Sequence, residues 1–320
     1  MSTNKTQKTV ELLEASAQDA NLLTEQPTSQ WALTLRRFRG RRSGMIGLGI
    51  VALLVIVAIF APLIAPYPPN EVLIGKEDVG PREKPCVHVL GCDPEKPQHI
   101  LGTDANVRDE FSRIIYGARV SLTLGFFTVT IALFVGSFLG AVAGYVGGWL
   151  DNVIMRIMDV ILGFPSLLLA IAIVSVLGPG LRNALIAIAI VSIPAYARVM
   201  RAQVLSIKET DFVAASLALG ASARQILIHR VVPNALTPLV VLATLGVATA
   251  ILEAAGLSFL GLGAQPPLAE WGSMLANERH TVFTSPHLVF FPGLAIMITV
   301  LGFNLMGDGL RDALDPALNK

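Results

Sequence analysis

Charge is what this sequence has least of. Only 15% of its 320 residues are Asp, Glu, Lys or Arg, against about 25% in a soluble domain. That shortfall excludes intrinsic disorder, a coiled coil and most soluble enzymes. Net charge is small as well, at +1; with no positive excess to meet a phosphate backbone, nucleic acid is not the expected partner. Two cysteines are too few for a disulfide scaffold or a four-thiolate zinc site. The chain lacks Gly-x-Ser-x-Gly, His-Glu-x-x-His and Gly-x-x-x-x-Gly-Lys-Ser/Thr, so it shows no serine-hydrolase elbow, no zinc-protease pair and no nucleotide-hydrolysing loop. We therefore assign no catalytic residue, no metal and no cofactor to it, and expect it not to be an enzyme.

Apolar residues supply the rest. They make up 53% of the chain, the mean hydropathy is +0.64, and they fall in blocks: residues 45–65, 120–150, 160–181, 183–197, 231–252 and 288–307. A run of about 20 apolar residues crosses a ~30 Å hydrocarbon core. The fourth block is shorter, and Arg198 at its end is placed to snorkel and extend it. No barrel-like alternation is present, so the expected fold is all-α and polytopic, with six transmembrane helices in a lipid bilayer. The first block follows 44 residues and ends in Ala-Pro-Tyr-Pro-Pro, which reads as a signal anchor and not as a cleaved leader. The expected organisation is a cytoplasmic tail with a basic juxtamembrane segment over 1–44, a first transmembrane helix over 45–66, and an extracytoplasmic loop over 67–118. A five-helix core over 119–310 contains an inner loop at 201–233, and 311–320 form a C-terminal tail. Residues 1–35 read as a mobile tail or a surface helix. Residues 31–42 interleave Trp31, Leu33, Leu35 and Phe38 with arginines, which reads as a positive-inside anchor, or more sharply as a lipid-binding segment.

Lys and Arg set the orientation. Lys5, Lys8, Arg36, Arg37, Arg39, Arg41 and Arg42 precede the first span, and Arg198, Arg201, Lys208, Arg224 and Arg230 border or occupy the inner loop. These belong inside, so both termini are expected in the cytoplasm of a multi-pass cell-membrane protein.

Charge within the spans is sparse. Asp159, with Arg156, lies at the inner end of the third block and Glu253 in the fifth. A buried charge there costs about 3 kcal/mol on insertion scales, so Glu253 faces protein or water: either it caps a neighbouring helix or it lines a pathway. Gly136, Gly140, Gly144 and Gly148 recur every four residues, a pattern for close helix approach that specifies no function. The inner loop is more informative. Asp211-Phe-Val-Ala-Ala-Ser-Leu-Ala-Leu-Gly220 reads as a short helix with Asp211 at its start and Gly220 as its left-handed stop. A second helix over 224–232 leads to Pro233, which opens the fifth span. Phe212, Val213, Leu217 and Leu219 in such a loop need a surface to cover them, on the chain's own spans or on a partner.

This loop resembles the cytoplasmic EAA loop of permease subunits in binding-protein-dependent ABC importers. Gly220 and Pro233 fall at that family's Gly and Pro, and Ala215 matches; Ala214 replaces the family's Glu and Ser216 its second Ala. Other stretches resemble the C-type permease subunit of dipeptide and oligopeptide importers: His99 to Asp104, Arg108 to Leu122, Met158-Asp159 to Pro165-Ser166, Glu253 to Gly263, Pro266 to Gly272 and Gly307 to Asp312. The resemblance covers 36–316. The family carries Gly where this chain has Val107. The resemblance implies the ABC type I importer permease (MetI-like) fold. It also implies a heterodimer with a sister permease, two cytoplasmic ATPase subunits that hydrolyse ATP, and an extracytoplasmic peptide-binding protein that delivers a peptide. In that frame Asp211, Phe212, Ala214, Ala215, Ser216, Leu219, Gly220 and Pro233 form the ATPase-coupling loop, and Asp159, Pro165 and Glu253 are candidates for the pathway or its gate. A nickel or glutathione importer of the same subfamily is the alternative, and an ion-coupled carrier is the reading from another class.

Cys86 and Cys92 bracket a short segment of the outer loop. An oxidising exterior makes a disulfide the leading reading; a metal site with His88 or His99, or free thiols, are the alternatives.

Overall fold

The computed structural model describes residues 30–314. The N-terminal tail to residue 29, with Lys5 and Lys8, and the C-terminal residues from 315 lie outside the described residues. Among those described there is no β-strand. Twelve α-helices follow in order: α1 Gln30–Gly40, α2 Arg42–Ile59, α3 Ala61–Ile64, α4 Glu110–Val146, α5 Gly148–Leu162, α6 Ser166–Leu177, α7 Leu181–Lys208, α8 Asp211–Ala218, α9 Ala223–Ile226, α10 Val232–Phe259, α11 Trp271–Glu278 and α12 His287–Leu314.

Helices α2, α4, α7, α10 with its leading turn, and α12 are each long and apolar enough to span. The third span is not one straight helix over 160–181 and starts earlier, at Gly148. It is the pair α5 and α6, bent by 93° at Gly163-Phe164-Pro165, because Pro165 has no N–H to continue the ladder and forces its predecessor out of the α region. Helices α4 and α7 settle how to count this pair. Gly136 abuts Ile193 and Ala197, Gly140 abuts Ala197 and Met200, and Gly144 abuts Arg201 and Val204, so numbers rise together and the two helices run parallel. The chain between them must return across the membrane, and the crossings are six.

Several boundaries differ from those read in the sequence. Helix α4 begins at Glu110, inside the stretch read as loop 67–118, because Asp109 caps it: the Ser112 N–H donates to Asp109 Oδ2 at 2.7 Å. It ends at Val146 with Gly147 as its cap, and Gly148 (φ 62°) opens α5 and does not belong to the packing stripe. Helix α7 runs past residue 197 to Lys208, and α12 runs on to Leu314.

The core lies where α4, α7 and α10 meet, around Leu124, Ile188, Met200, Leu239, Ile251 and Leu257, all nearly or fully buried. At Gly136 an added Cβ would stand 2.7 Å from the Ile193 carbonyl; only hydrogen fits there, so the glycine stripe draws the two backbones together and the gain is dispersion. A second cluster at the outer end centres on Trp271, 1% exposed, whose indole N–H donates to the Ile114 carbonyl at 3.0 Å.

Candidate functional site

The end of the bundle that the arginine pattern marks as inner carries the loop singled out in the sequence. α8 starts two residues after α7 ends, and the Thr210 hydroxyl donates back to the Ile207 carbonyl at 2.6 Å. Val213 is the one buried residue of α8. Phe212, Leu217 and Leu219 point outward, Leu219 at 89% exposure. Asp211, Ala214 and Ala215 are exposed too, and Ser216 is half-buried with its hydroxyl on the Phe212 carbonyl. The chain's own spans therefore leave most of this apolar surface open.

The helix stops in a defined way. Gly220 has φ 84°, its N–H donates to the Leu217 carbonyl at 2.9 Å, and the Ala221 N–H donates to the Ser216 carbonyl at 3.1 Å. This pair of bonds is a Schellman stop, which needs a left-handed residue. Ser222 then caps α9, accepting from the Gln225 N–H. Pro233, exposed in the first turn of α10, cannot donate to His229, and the preceding turn relaxes into a π segment, Leu227–Val231. α9 thus runs into α10 without a gap. Between α8 and this turn lies a cleft of about 370 Å³ lined by Ser216, Leu219, Ala221, Gln225, Ile226, His229 and Arg230.

The remaining candidates do not join one site. Asp159 is exposed and pairs with Arg198 at 2.6 Å. Asp151 pairs with Arg201 at 2.5 Å, and the two ion pairs tether α5 along α7. Pro165 is exposed at the bend. Glu253 is half-buried in α10 and faces Ser166 at the start of α6. Cys86 and Cys92 are joined, with Cα atoms 5.4 Å apart; no His ring shares a metal-like cluster with them among the described residues.

The outer end holds a polar cluster that the sequence reading did not assign. His99 is buried. Its Nδ1 meets Asp109 Oδ1 at 2.8 Å and its Nε2 meets Glu77 Oε2 at 3.1 Å, while the Tyr67 ring stacks on it and the Tyr67 hydroxyl donates to Glu77 at 2.9 Å. Burial alone would lower the His99 pKa, but the two carboxylates outweigh it and hold it above its ordinary value. Burial, then Glu77, pushes the Tyr67 phenol up to about 12. Asp104 accepts from Arg108 at 2.6 Å and lies 3.5 Å from Arg113, and Arg82 pairs with Glu278 of α11 at 2.8 Å. Glu270 caps α11 by accepting from the Gly272 and Ser273 N–H groups at 3.0 and 2.8 Å; burial raises its pKa against those two bonds. One signal in the sequence pointed here: Asp109 three residues before Ser112, at the head of an apolar run. The partners of His99 are too far apart along the chain to be read as a set.

Comparisons agree with this architecture. The family model described as binding-protein-dependent transport system inner membrane component matches residues 136–320, and the N-terminal TM domain of oligopeptide transport permease C matches residues 29–85. The dipeptide transport system permease protein DppC of Alkalihalophilus pseudofirmus is 48% identical over 290 residues, covering 91% of each chain. The glutathione transport system permease protein GsiD of Escherichia coli is 45% identical over 295 residues, covering 92% of this chain and 93% of its own. Among solved structures, an inward-facing MetNI methionine ABC transporter chain superposes with a TM-score of 0.53 at 20% identity, over 63% of this chain and 97% of its own.

Proposed function

Because the chain belongs to the family of binding-protein-dependent transport system inner membrane components, and is a permease of its dipeptide and oligopeptide C-type branch, we propose that it forms half of the pathway through which an ABC importer carries short peptides. A sister permease supplies the other half, two cytoplasmic ATPase subunits drive the cycle, and an extracytoplasmic binding protein delivers the peptide. The observation that carries this reading is α8. It is a short helix with exposed Phe212, Leu217 and Leu219, seated on the end of a spanning helix in a chain that has no nucleotide-binding loop. Such a knob inserts into an apolar groove of a partner as a helix does into a receptor groove. Closure of the ATPase pair then displaces α8, and the bundle tilts between inward-open and outward-open states. Hydrolysis belongs to the partner; this chain transmits and conducts. Both termini lie in the cytoplasm, and the polar cluster around His99 faces the binding protein.

A glutathione importer is the second reading, supported by the relatives at 45% identity. The test is uptake into proteoliposomes containing this chain, its sister permease, the ATPases and the loaded binding protein. ATP-dependent uptake of a labelled dipeptide, uncompeted by glutathione, is the expected result. Uptake of glutathione alone favours the second reading, and uptake by the isolated chain on an ion gradient overturns both.

A further inference from the structure

Five arginines, four ahead of α2 and Arg42 at its first position, take no part in the pathway or the coupling loop described so far. Their helix is held in a fixed place. Phe38 of α1 is 7% exposed, and its ring closes the notch between Gly44 of α2 and Gly309 of α12, so tightly that a Cβ on Gly44 would stand 2.8 Å from it. With Phe38 turned inward, Arg36, Arg37, Arg39 and Arg42 are exposed and Arg41 is half-buried. Among the described residues none of the five pairs with a carboxylate, Asp308 and Asp312 at the same end of α12 included.

The depth of these charges follows from α2. Met45, Ile46 and Leu48 are the first apolar side chains turned outward, at 40%, 58% and 40% exposure. Arg41 and Arg42 therefore stand within one turn of this outward apolar face, and α1 ends at Gly40, directly before them. We infer that α1 is a binding surface for anionic phospholipid, its guanidinium groups taking the lipid phosphates while Phe38 anchors the helix to the bundle. Guanidinium groups match phosphate in charge and in donor geometry. The inference rests on the proposed orientation only for the choice of leaflet.

The test uses the full chain purified in mixed micelles with equal phosphatidylglycerol and phosphatidylcholine, and counts each lipid retained on the protein by native mass spectrometry. Wild type should retain phosphatidylglycerol in preference, and 0.5 M salt should reduce that preference, since the charges are exposed. R36Q/R37Q/R39Q should cut the preference by about fivefold or more, the weight of one such charge at an anionic surface. R36K/R37K/R39K, which keeps the charge, should keep most of it. All variants retain Arg41 and Arg42, at the start of α2, and the salt series on wild type stands without any variant folding. Equal retention of both lipids by wild type, or an unchanged preference in the Gln variant, overturns the inference. So does an unchanged preference accompanied by lost capture of the ATPase subunits, which would assign the arginines to a protein partner.

Discussion

Val107 sits at φ 54° and is 2% exposed, in the one backbone region that a β-branched residue avoids. The turn overdetermines it. The Val107 N–H donates to the Asp104 carbonyl at 3.1 Å, its carbonyl accepts from Leu73 at 2.9 Å, and Asp104 Oδ1 accepts from the N–H groups of both Asn106 and Arg108. The strain costs about 1–2 kcal/mol, and the buried side chain returns about 1.5–3 kcal/mol. This explains why Val is tolerated at a position whose φ favours Gly. Replacement by Ala loses most of the burial and keeps the strain, whereas Gly loses the burial and relieves it. Thermal unfolding of the purified chain should therefore rank Val107→Gly at or above Val107→Ala, the reverse of the usual order; a clearly less stable Gly variant contradicts the account. At Gly220 the argument runs the other way. Val there meets φ 84° with no compensating burial, since nothing lies within 4 Å of the position a Cβ would take. Gly220→Val should fray α8 at a cost of about 1–2 kcal/mol and leave insertion intact. In complexes matched for assembly, uptake should fall sharply and ATPase stimulation by the loaded binding protein should weaken. Normal uptake with normal stimulation would show that α8 is not the coupling element.

Single elements carry two more expectations. The His99 clasp joins the segment after α3, the outer loop and the cap of α4, and its imidazole stays protonated above its ordinary range because Asp109 and Glu77 face it. A raised pKa in the folded state means that the stabilisation is complete below about pH 6.5 and is lost as pH rises through the higher folded value. Between pH 6 and 9 wild type should lose more in Tm than His99→Gln, in which that group no longer titrates; parallel pH profiles would remove the clasp from the account. The Cys86–Cys92 bridge is tested by thiol labelling of denatured protein, with no reaction before reduction and two thiols after it. Full labelling of both without reductant would refute it. These elements also show what a sequence displays and what it conceals. The spans were legible because lipid demands unbroken apolar runs, and the stop at Gly220 because an Ala/Leu helix meeting Gly has few other readings. The bend at Pro165 was hidden by apolar residues on both sides of it. The first turns of α4 were hidden by their charges, which read as loop until Asp109, Glu110 and Arg113 are seen buried together. Of the inner loop, the sequence displayed the residues but not which would be covered; only packing separates Val213 from Leu219.

For the whole molecule, the parallel course of α4 and α7 requires six crossings, which puts the start of α2 and the end of α12 on one side, the side expected to be cytoplasmic. Reporter fusions at Asp93 and Lys320 should give opposite signals, external and cytoplasmic; the same signal from both would break the six-crossing account. The glycine-lined contact between those two helices has a mechanical consequence. α4 is 37 residues long, about 55 Å, and reaches from the clasp at Asp109 to Tyr145, whose carbonyl accepts from Lys208 at the end of α7 at 3.3 Å. From Gly136 to Gly144 the backbone of α4 lies against backbone and Cβ atoms of α7, from Ile193 to Val204, with no flexible side-chain end between them. On the proposed coupling the two helices should move as one rod, so that a tug on α8 is carried toward the clasp at Asp109 as travel.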